Sequence, residues 1–480
     1  MKSYASTLRW FVCMLVLGLL VIAVGAQEDM TPSLTVSDQV VTDGTVVMDS
    51  AVVNNDGFVV IHTDADGSPG PVIGHQAIPA GENFNVVVLI DGAAATPVLF
   101  AMLHEDTGEA GVYEFGTVEG ADQPVRVDDA PIVVSFNTAG ISAFPQIVDE
   151  GTFTANSVII DVPGWLVIHA DDAGSPGQVI GFAPIDAGMS NNVTVEVDQD
   201  AVTNIVWLML HQDTGEAGVY EFGEVEGADL PVRMNERTAV VPVWTAPHME
   251  IAHQLLIFGD SMEMTTESPV LVANTVLSDG PGWLVVHAAG ESGPGDVIGF
   301  APVNDGLNRG VEVPVDAERL TTTVFPMLHT DTGEVGTFEF GEVEGADSPV
   351  VVNEVVVTFP VDVAPSISYN DVQFVDGQGT LVVGRTLIDA DGWLVIHEDA
   401  DGSPGAVLGF APISSGLNNN VEVEVELDEA PPSVFPMLHY DTDAIGEFEF
   451  GTVEGADLPV RVNDSPVTGP ATVEVVFPDD

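Results

Sequence analysis

Cysteine and lysine are all but missing from this chain of 480 residues. Each occurs once, as Cys13 and Lys2, and both lie in the first 26 residues. Beyond that segment no disulfide can form, so each folded core must hold by packing alone. Basic charge is equally scarce. Lysine and arginine together number 9 against 75 acids, a formal net charge of −66. Such a chain is repelled by duplex DNA and by anionic membrane surfaces, and no nucleic-acid partner is expected. Cations, basic partners and water are compatible company. The acidity fits either a salty exterior, where screening relieves self-repulsion, or a solubility device. It does not imply disorder, because 45% of residues are hydrophobic and they are strongly patterned.

Helical periodicity is absent too, and so are the usual marks of an enzyme. There is no Gly-x-Ser-x-Gly elbow, no cysteine nucleophile outside the leader and no phosphate-cradling glycine loop opening a helix. The chain is not expected to be an enzyme. Long apolar runs are limited to one, Trp10 to Val24, preceded by Lys2 and Arg9 and followed by Val24-Gly25-Ala26. Residues 1–26 therefore read as a secretory signal peptide. The run is short for a membrane span, which needs about 20 apolar residues. An uncleaved anchor is the bland alternative, and Cys13 lies too deep in the run to suggest a lipid anchor. No membrane span is expected in the mature chain, and the expected location is extracellular or cell-surface.

What is present is repetition. Gly164-Trp165-Leu166-Val167-Ile168-His169 recurs as Gly57 to His62, with Phe58 for Trp, as Gly282 to His287 and as Gly392 to His397. A second histidine follows each first one by 42 residues: His104, His211, His329 and His439. A fixed offset held four times implies four copies of one unit, each long enough for its own core. Within a unit, short β-branched and aromatic runs alternate with turn signals such as Asp43-Gly44 and Asp56-Gly57. About seven strands per unit predict an all-β protein of four tandem Ig-like antiparallel β-sandwich domains. The expected boundaries are 33–138, 141–246, 248–361 and 366–480. Short joints carrying Pro or Gly, such as Thr245-Ala246-Pro247, suit a row of domains, an extended rod. Phe258 to Ser268 is an extra Met- and Glu-rich stretch in the third unit.

Three features could carry chemistry. The histidine pairs His62/His104, His169/His211, His287/His329 and His397/His439 are possible transition-metal ligands. The alternative is a structural histidine at a strand end, hydrogen-bonded to a loop backbone. If successive strands reverse direction, the two histidine strands run antiparallel, and their histidines are expected at opposite ends of the sandwich. The acidic turns Asp64-Ala65-Asp66-Gly67, Asp171-Asp172-Ala173-Gly174 and Asp399-Ala400-Asp401-Gly402 offer oxygen ligands for calcium, without a full EF-hand pattern. A plain Asp/Gly turn explains them as well, and the third unit has Ala288-Ala289-Gly290-Glu291 there.

The third feature is the longest near-identical stretch, which begins at each second histidine. An aspartate lies two residues on and a glutamate ten on. The sets are His104, Asp106 and Glu114; His211, Asp213 and Glu221; His329, Asp331 and Glu339; and His439, Asp441 and Glu449. They read either as a cation site or as a long loop fixed by its own hydrogen bonds. Asn192-Val193-Thr194 and Asn463-Asp464-Ser465 match the weak glycosylation pattern.

The run from Gly164 to His169, with Gly174-Ser175-Pro176-Gly177, Val179-Ile180-Gly181 and Met209 to Gly215, resembles a family of uncharacterised domains. These occur in exported and surface proteins of haloarchaea and some bacteria. The resemblance covers all four units and implies an Ig-like β domain in a cell-surface setting, with no catalytic residues to carry over. The third unit departs in its acidic turn, and the fourth has Asp443 after Thr442 where Gly-Glu follows the threonine elsewhere. The reading that follows is an exported acidic tandem-repeat protein with a structural or adhesive role. Its partner would be a surface or matrix protein or polysaccharide, and no cofactor is required. The alternative is a cation-binding surface protein, holding calcium or a transition metal.

Overall fold

A computed structural model describes residues 31–41, 44–257, 269–375, 377, 379–425, 427 and 429–477. The leader 1–26 and the Met- and Glu-rich stretch 258–268 lie outside the described residues. Among the described residues the chain is all β, with only two short 3-10 turns, Gly92–Ala94 and Gln199–Ala201. No helix there is long and apolar enough to cross a membrane. The residues fall into two compact units, one ending at Thr138 and the other starting at Ala139.

The second repeat shows the plan. Gly164–Asp171 is the central strand of a four-stranded antiparallel sheet, ordered Pro176–Ile185, Gly164–Asp171, Ile205–Gln212, Val240–Trp244. Facing it, Thr152–Ile160 pairs with Gly188–Glu196 along eight positions. This is the sandwich that the alternating apolar runs imply. Trp165 to Ile168 are all buried, as a strand covered on both faces requires. Phe153 and Ala155 point inward from the opposing sheet, each fully buried, which supplies the hydrophobic driving force that a disulfide-free core needs.

The third repeat has the same four-stranded sheet, built on Gly282–Ala289 and Thr323–Thr330. In the fourth, Val372–Val375 pairs antiparallel with Thr380–Ile388 and parallel with Ala471–Val476, so one strand joins both sheets. The first repeat, in its own unit, sets Gly57–Asp64 between Pro69–Ile78 and Val98–Glu105.

The glycine that opens each motif has a specific reason. A Cβ on Gly164 would sit 2.2 Å from the backbone oxygen of His211, and the equivalents at Gly57, Gly282 and Gly392 would meet His104, His329 and His439 oxygens at 2.5, 2.4 and 2.2 Å. The motif's first residue is thus set by the second histidine's backbone.

Within the second unit, the joint between the third and fourth repeats is pinned by side chains. The Asp362 carboxylate accepts from Arg385 at 2.8 Å and from Ser366 at 3.3 Å. His253 Nδ1 accepts the Asp362 amide at 2.8 Å, and the Arg385 guanidinium lies against the far side of the same ring. These are the partly buried, multiply bonded charges that resist bending better than an isolated surface pair.

Candidate functional site: the histidine pair and its loop

The two histidines of a repeat come together; they do not lie at opposite ends of the sandwich. Ring centroids are 6.0 Å apart for His62/His104, 5.9 Å for His169/His211, and 5.8 Å for His287/His329 and His397/His439, with planes inclined by 21° to 29°. The expectation of opposite ends fails on register. The two histidine strands are hydrogen-bonded neighbours, with Trp165 opposite His211, Val167 opposite Met209 and His169 opposite Trp207. Directly opposed residues share a face, so both rings stand on one face, separated by a single intervening pair. The other repeats have the same register.

A β-bulge falls at the first histidine of every repeat, where the register with the following strand shifts on either side of His62, His169, His287 and His397. Bulges re-aim a side chain and recur beside sites. Each first histidine bonds through Nδ1 to a carbonyl at the start of the following strand: His62 to Gly70 at 2.8 Å, His169 to Gly177 at 2.9 Å, His287 to Gly295 at 2.8 Å and His397 to Gly405 at 3.0 Å. Each second histidine bonds to an aspartate carbonyl: His104 to Asp122 at 2.7 Å, His211 to Asp229 at 2.6 Å, His329 to Asp347 at 2.7 Å and His439 to Asp457 at 2.6 Å. A carbonyl only accepts, so Nδ1 carries the proton in all eight rings. All eight Nε2 atoms are buried and make no hydrogen bond.

The second histidines are fully buried, and burial holds them neutral, lowering each from the ordinary 6.5 to about 4 despite the opposing pull of the carbonyl bond. His169 is lowered as well, again mainly by burial.

The stretch after the second histidine is a loop locked around a buried carboxylate. Asp229 is fully buried, its φ is +48°, and it accepts the amides of Thr214 at 2.8 Å and Glu221 at 2.5 Å. Its own amide donates to Thr214 Oγ1 at 2.8 Å while its carbonyl takes His211. Asp122, Asp347 and Asp457 repeat every bond, with φ of +47°, +46° and +45°. Aspartate tolerates that left-handed backbone better than most residues, and it can cap two amides at once.

The acids singled out in sequence serve the same loop. Asp106, Asp213, Asp331 and Asp441 accept the amides of Gly111, Gly218, Gly336 and Gly446. Glu114, Glu221, Glu339 and Glu449 accept the amides of Glu109, Glu216, Glu334 and Ala444. Because a backbone amide donates, Ala444 serves where the others have glutamate. Asp443, at φ +71°, takes the place held elsewhere by a positive-φ glycine.

The structure does not gather histidine, aspartate and glutamate around one point. Among the described residues no group of three or more His, Cys, Asp or Glu side chains is placed to hold a metal ion. The calcium-type turns are likewise self-capped. Asp64, Asp171 and Asp399 accept the amides of Gly67, Gly174 and Gly402, the geometry of an Asp/Gly turn.

Three further residues recur around the pair and were not singled out in sequence. Met102, Met209, Met327 and Met437 lie two residues before the second histidine, on the face of the two rings and between them. Phe115, Phe222, Phe340 and Phe450 set an edge against the second ring at 4.5 to 4.8 Å. The hub aspartates are the third. Each keeps a fixed offset from the histidine, and that constancy was the available signal.

Four segments of the chain, 32–138, 139–244, 260–364 and 365–474, match one family, described as a domain of unknown function (DUF7282). The chain belongs to this family, in four tandem copies. No curated protein matches it. Two solved structures are similar at low level: the native conformation of E. coli alpha-2-macroglobulin, with 10% identity and a TM-score of 0.18 over 92% of this chain and 29% of that one, and Salmonella alpha-2-macroglobulin reacted with methylamine, with 10% identity and a TM-score of 0.18 over 93% and 30%. The chain thus spans about a third of the length of either, and a match this distant carries no argument about function.

Proposed function

We infer that this DUF7282 chain is an exported, acidic tandem-repeat protein with a structural or adhesive role at the cell surface or in the extracellular matrix. One observation carries the reading. The locked loop presents an exposed valine at the same place in every repeat, as Val118, Val225, Val343 and Val453, which are 46%, 47%, 46% and 37% exposed. Rigid loops that keep apolar residues in water fit contact surfaces, and four weak contacts on one chain add by avidity. The net charge of −66 favours neutral or basic surface proteins and polysaccharides over nucleic acid. The run at Trp10 to Val24 supports export.

The test compares the wild-type chain with one carrying Val118→Ser, Val225→Ser, Val343→Ser and Val453→Ser, both expressed in the native host. Antibody labelling of unbroken cells is expected for the wild type, with the variant, unchanged in melting, released to the medium. Labelling only after lysis, or equal retention of both chains, would overturn the reading.

A further inference from the structure

The histidine pairs hold a lone pair that nothing in the fold uses. A buried polar atom without a partner is uncommon and costly, yet Nε2 is left so in all eight rings. Packing and the Nδ1 bond to a carbonyl would satisfy a structural histidine whose second nitrogen reached water. Here His104, His211, His329 and His439 are fully buried, and the first histidines are at most 6% exposed. The Nδ1–H bond to a backbone carbonyl is also the outer-shell contact that orients a metal-ligating imidazole and leaves Nε2 free to bind.

Distance and ligand type narrow the choice. Two nitrogen–metal bonds of about 2.0 Å, meeting at one ion, place two imidazole centres about 6 Å apart. The four observed separations run from 5.8 to 6.0 Å. Met209 stands on the same face, between the rings in register, and its counterparts do the same in the other repeats. These methionines are 6% to 8% exposed. No carboxylate joins the set, since among the described residues no three His, Cys, Asp or Glu side chains are placed to hold one ion. A thioether with two neutral imidazoles is a soft, uncharged donor set. It selects copper(I), and it offers little to calcium, magnesium or manganese, which take oxygen ligands. A phenylalanine edge, Phe222 in the second repeat, covers the second ring at 4.6 Å and is itself only half-buried.

We propose that each repeat binds one copper(I) ion between the Nε2 atoms of its histidine pair with the methionine thioether as third ligand: His169, Met209 and His211 in the second repeat, and their equivalents in the other three. Four ions per chain follow. The claim is independent of the adhesive role and stands or falls without it.

The intact four-repeat chain is titrated anaerobically with copper(I) against bicinchoninate as a competing chelator. Four ions per chain are expected to be withheld from the chelator, with nitrogen and sulfur neighbours in X-ray absorption, and zinc(II) is expected not to displace them. His211→Asn lowers the count to three and leaves the other repeats loaded. Replacing Met102, Met209, Met327 and Met437 by leucine conserves volume, so the metal-free chain still folds. It loses the sulfur signal and weakens retention by about tenfold or more. The Met→Leu chain also keeps the test decisive should His211→Asn fail to fold. No copper withheld, a count of four in folded His211→Asn, displacement by zinc, or unchanged affinity without the methionines would each overturn the assignment.

Discussion

The loops that follow the two histidines of a repeat look alike in composition, both acidic and glycine-rich, and behave differently. The loop after the first histidine closes on itself. Its aspartate caps one amide three residues on, as Asp64 does for Gly67. The third repeat dispenses with the acid and keeps only the backbone bond that all four share, from the Gly290 amide to the Gly293 carbonyl at 2.7 Å, as from Ala65 to Ser68 at 2.8 Å. The loop after the second histidine closes on the core. A buried aspartate ties two loop amides to the histidine ring, and no repeat varies it. Acidity therefore does not mark the constrained loop; a buried acceptor shared between distant parts of the chain does. Removing one partner of such a buried set strands every other member, whereas a turn cap at the surface leaves its amide to water.

That contrast can be broken by substitution. The largest effect is expected for Asp229→Ala, which leaves the Thr214 and Glu221 amides without their carboxylate acceptor. A loss of about 3 kcal/mol or more is expected for the second repeat, read by denaturant unfolding. Gly164→Ala follows. Its Cβ would collide with the His211 oxygen at 2.2 Å, a backbone atom that cannot swing aside. About 3 kcal/mol is expected in the same assay. A loss under about 0.5 kcal/mol for either would remove the second histidine from its place as organiser.

Acid titration comes next. The second histidines bind protons near pH 4 when folded and near 6.5 when unfolded. Between those values the unfolded chain binds more protons, so their contribution is present above 6.5 and is lost as pH falls toward 4. Melting temperature is expected to drop across that window, and His211→Gln to flatten the slope. A melting temperature independent of pH between 4 and 6.5 would contradict the burial of these rings. The smallest effect is Asp64→Ala, about 1 kcal/mol or less in the first repeat, because only one exposed turn amide loses its cap.

Architecture was legible because it rests on periodicity and spacing. The Gly-Trp-Leu-Val-Ile-His run is buried on both sides of a strand, and its recurrence shows four copies without any knowledge of contacts. Alternation along a strand puts Phe58, Val60 and His62 on one face, and they share one. The meeting of the histidines was not. It depends on which strands are neighbours and on their register, and a sequence that reports strand direction reports neither. The bulge at His169 leaves no mark in composition, since the extra residue is an ordinary one. Met209 read as one more core residue, and its place between two rings emerges only once Val167 is opposite it. Asp229 lies within the near-identical stretch, and nothing in the sequence sets it apart, because a buried acid and an exposed one are written the same way. The acids at Asp213 and Glu221 attracted attention as ligands when their partners are backbone amides, which carry no sequence signal.

The most direct test of the locked loop is native-state hydrogen exchange on the intact chain, resolved to single amides in the second repeat. The amides of Thr214 and Glu221, which donate to buried Asp229, are expected to exchange as slowly as those of the central strand Gly164–Asp171. The Gly174 amide, which donates to Asp171 at the surface, is expected to exchange far faster. If Thr214 and Glu221 exchanged as fast as Gly174, the second histidine and its aspartate would not be what holds this loop.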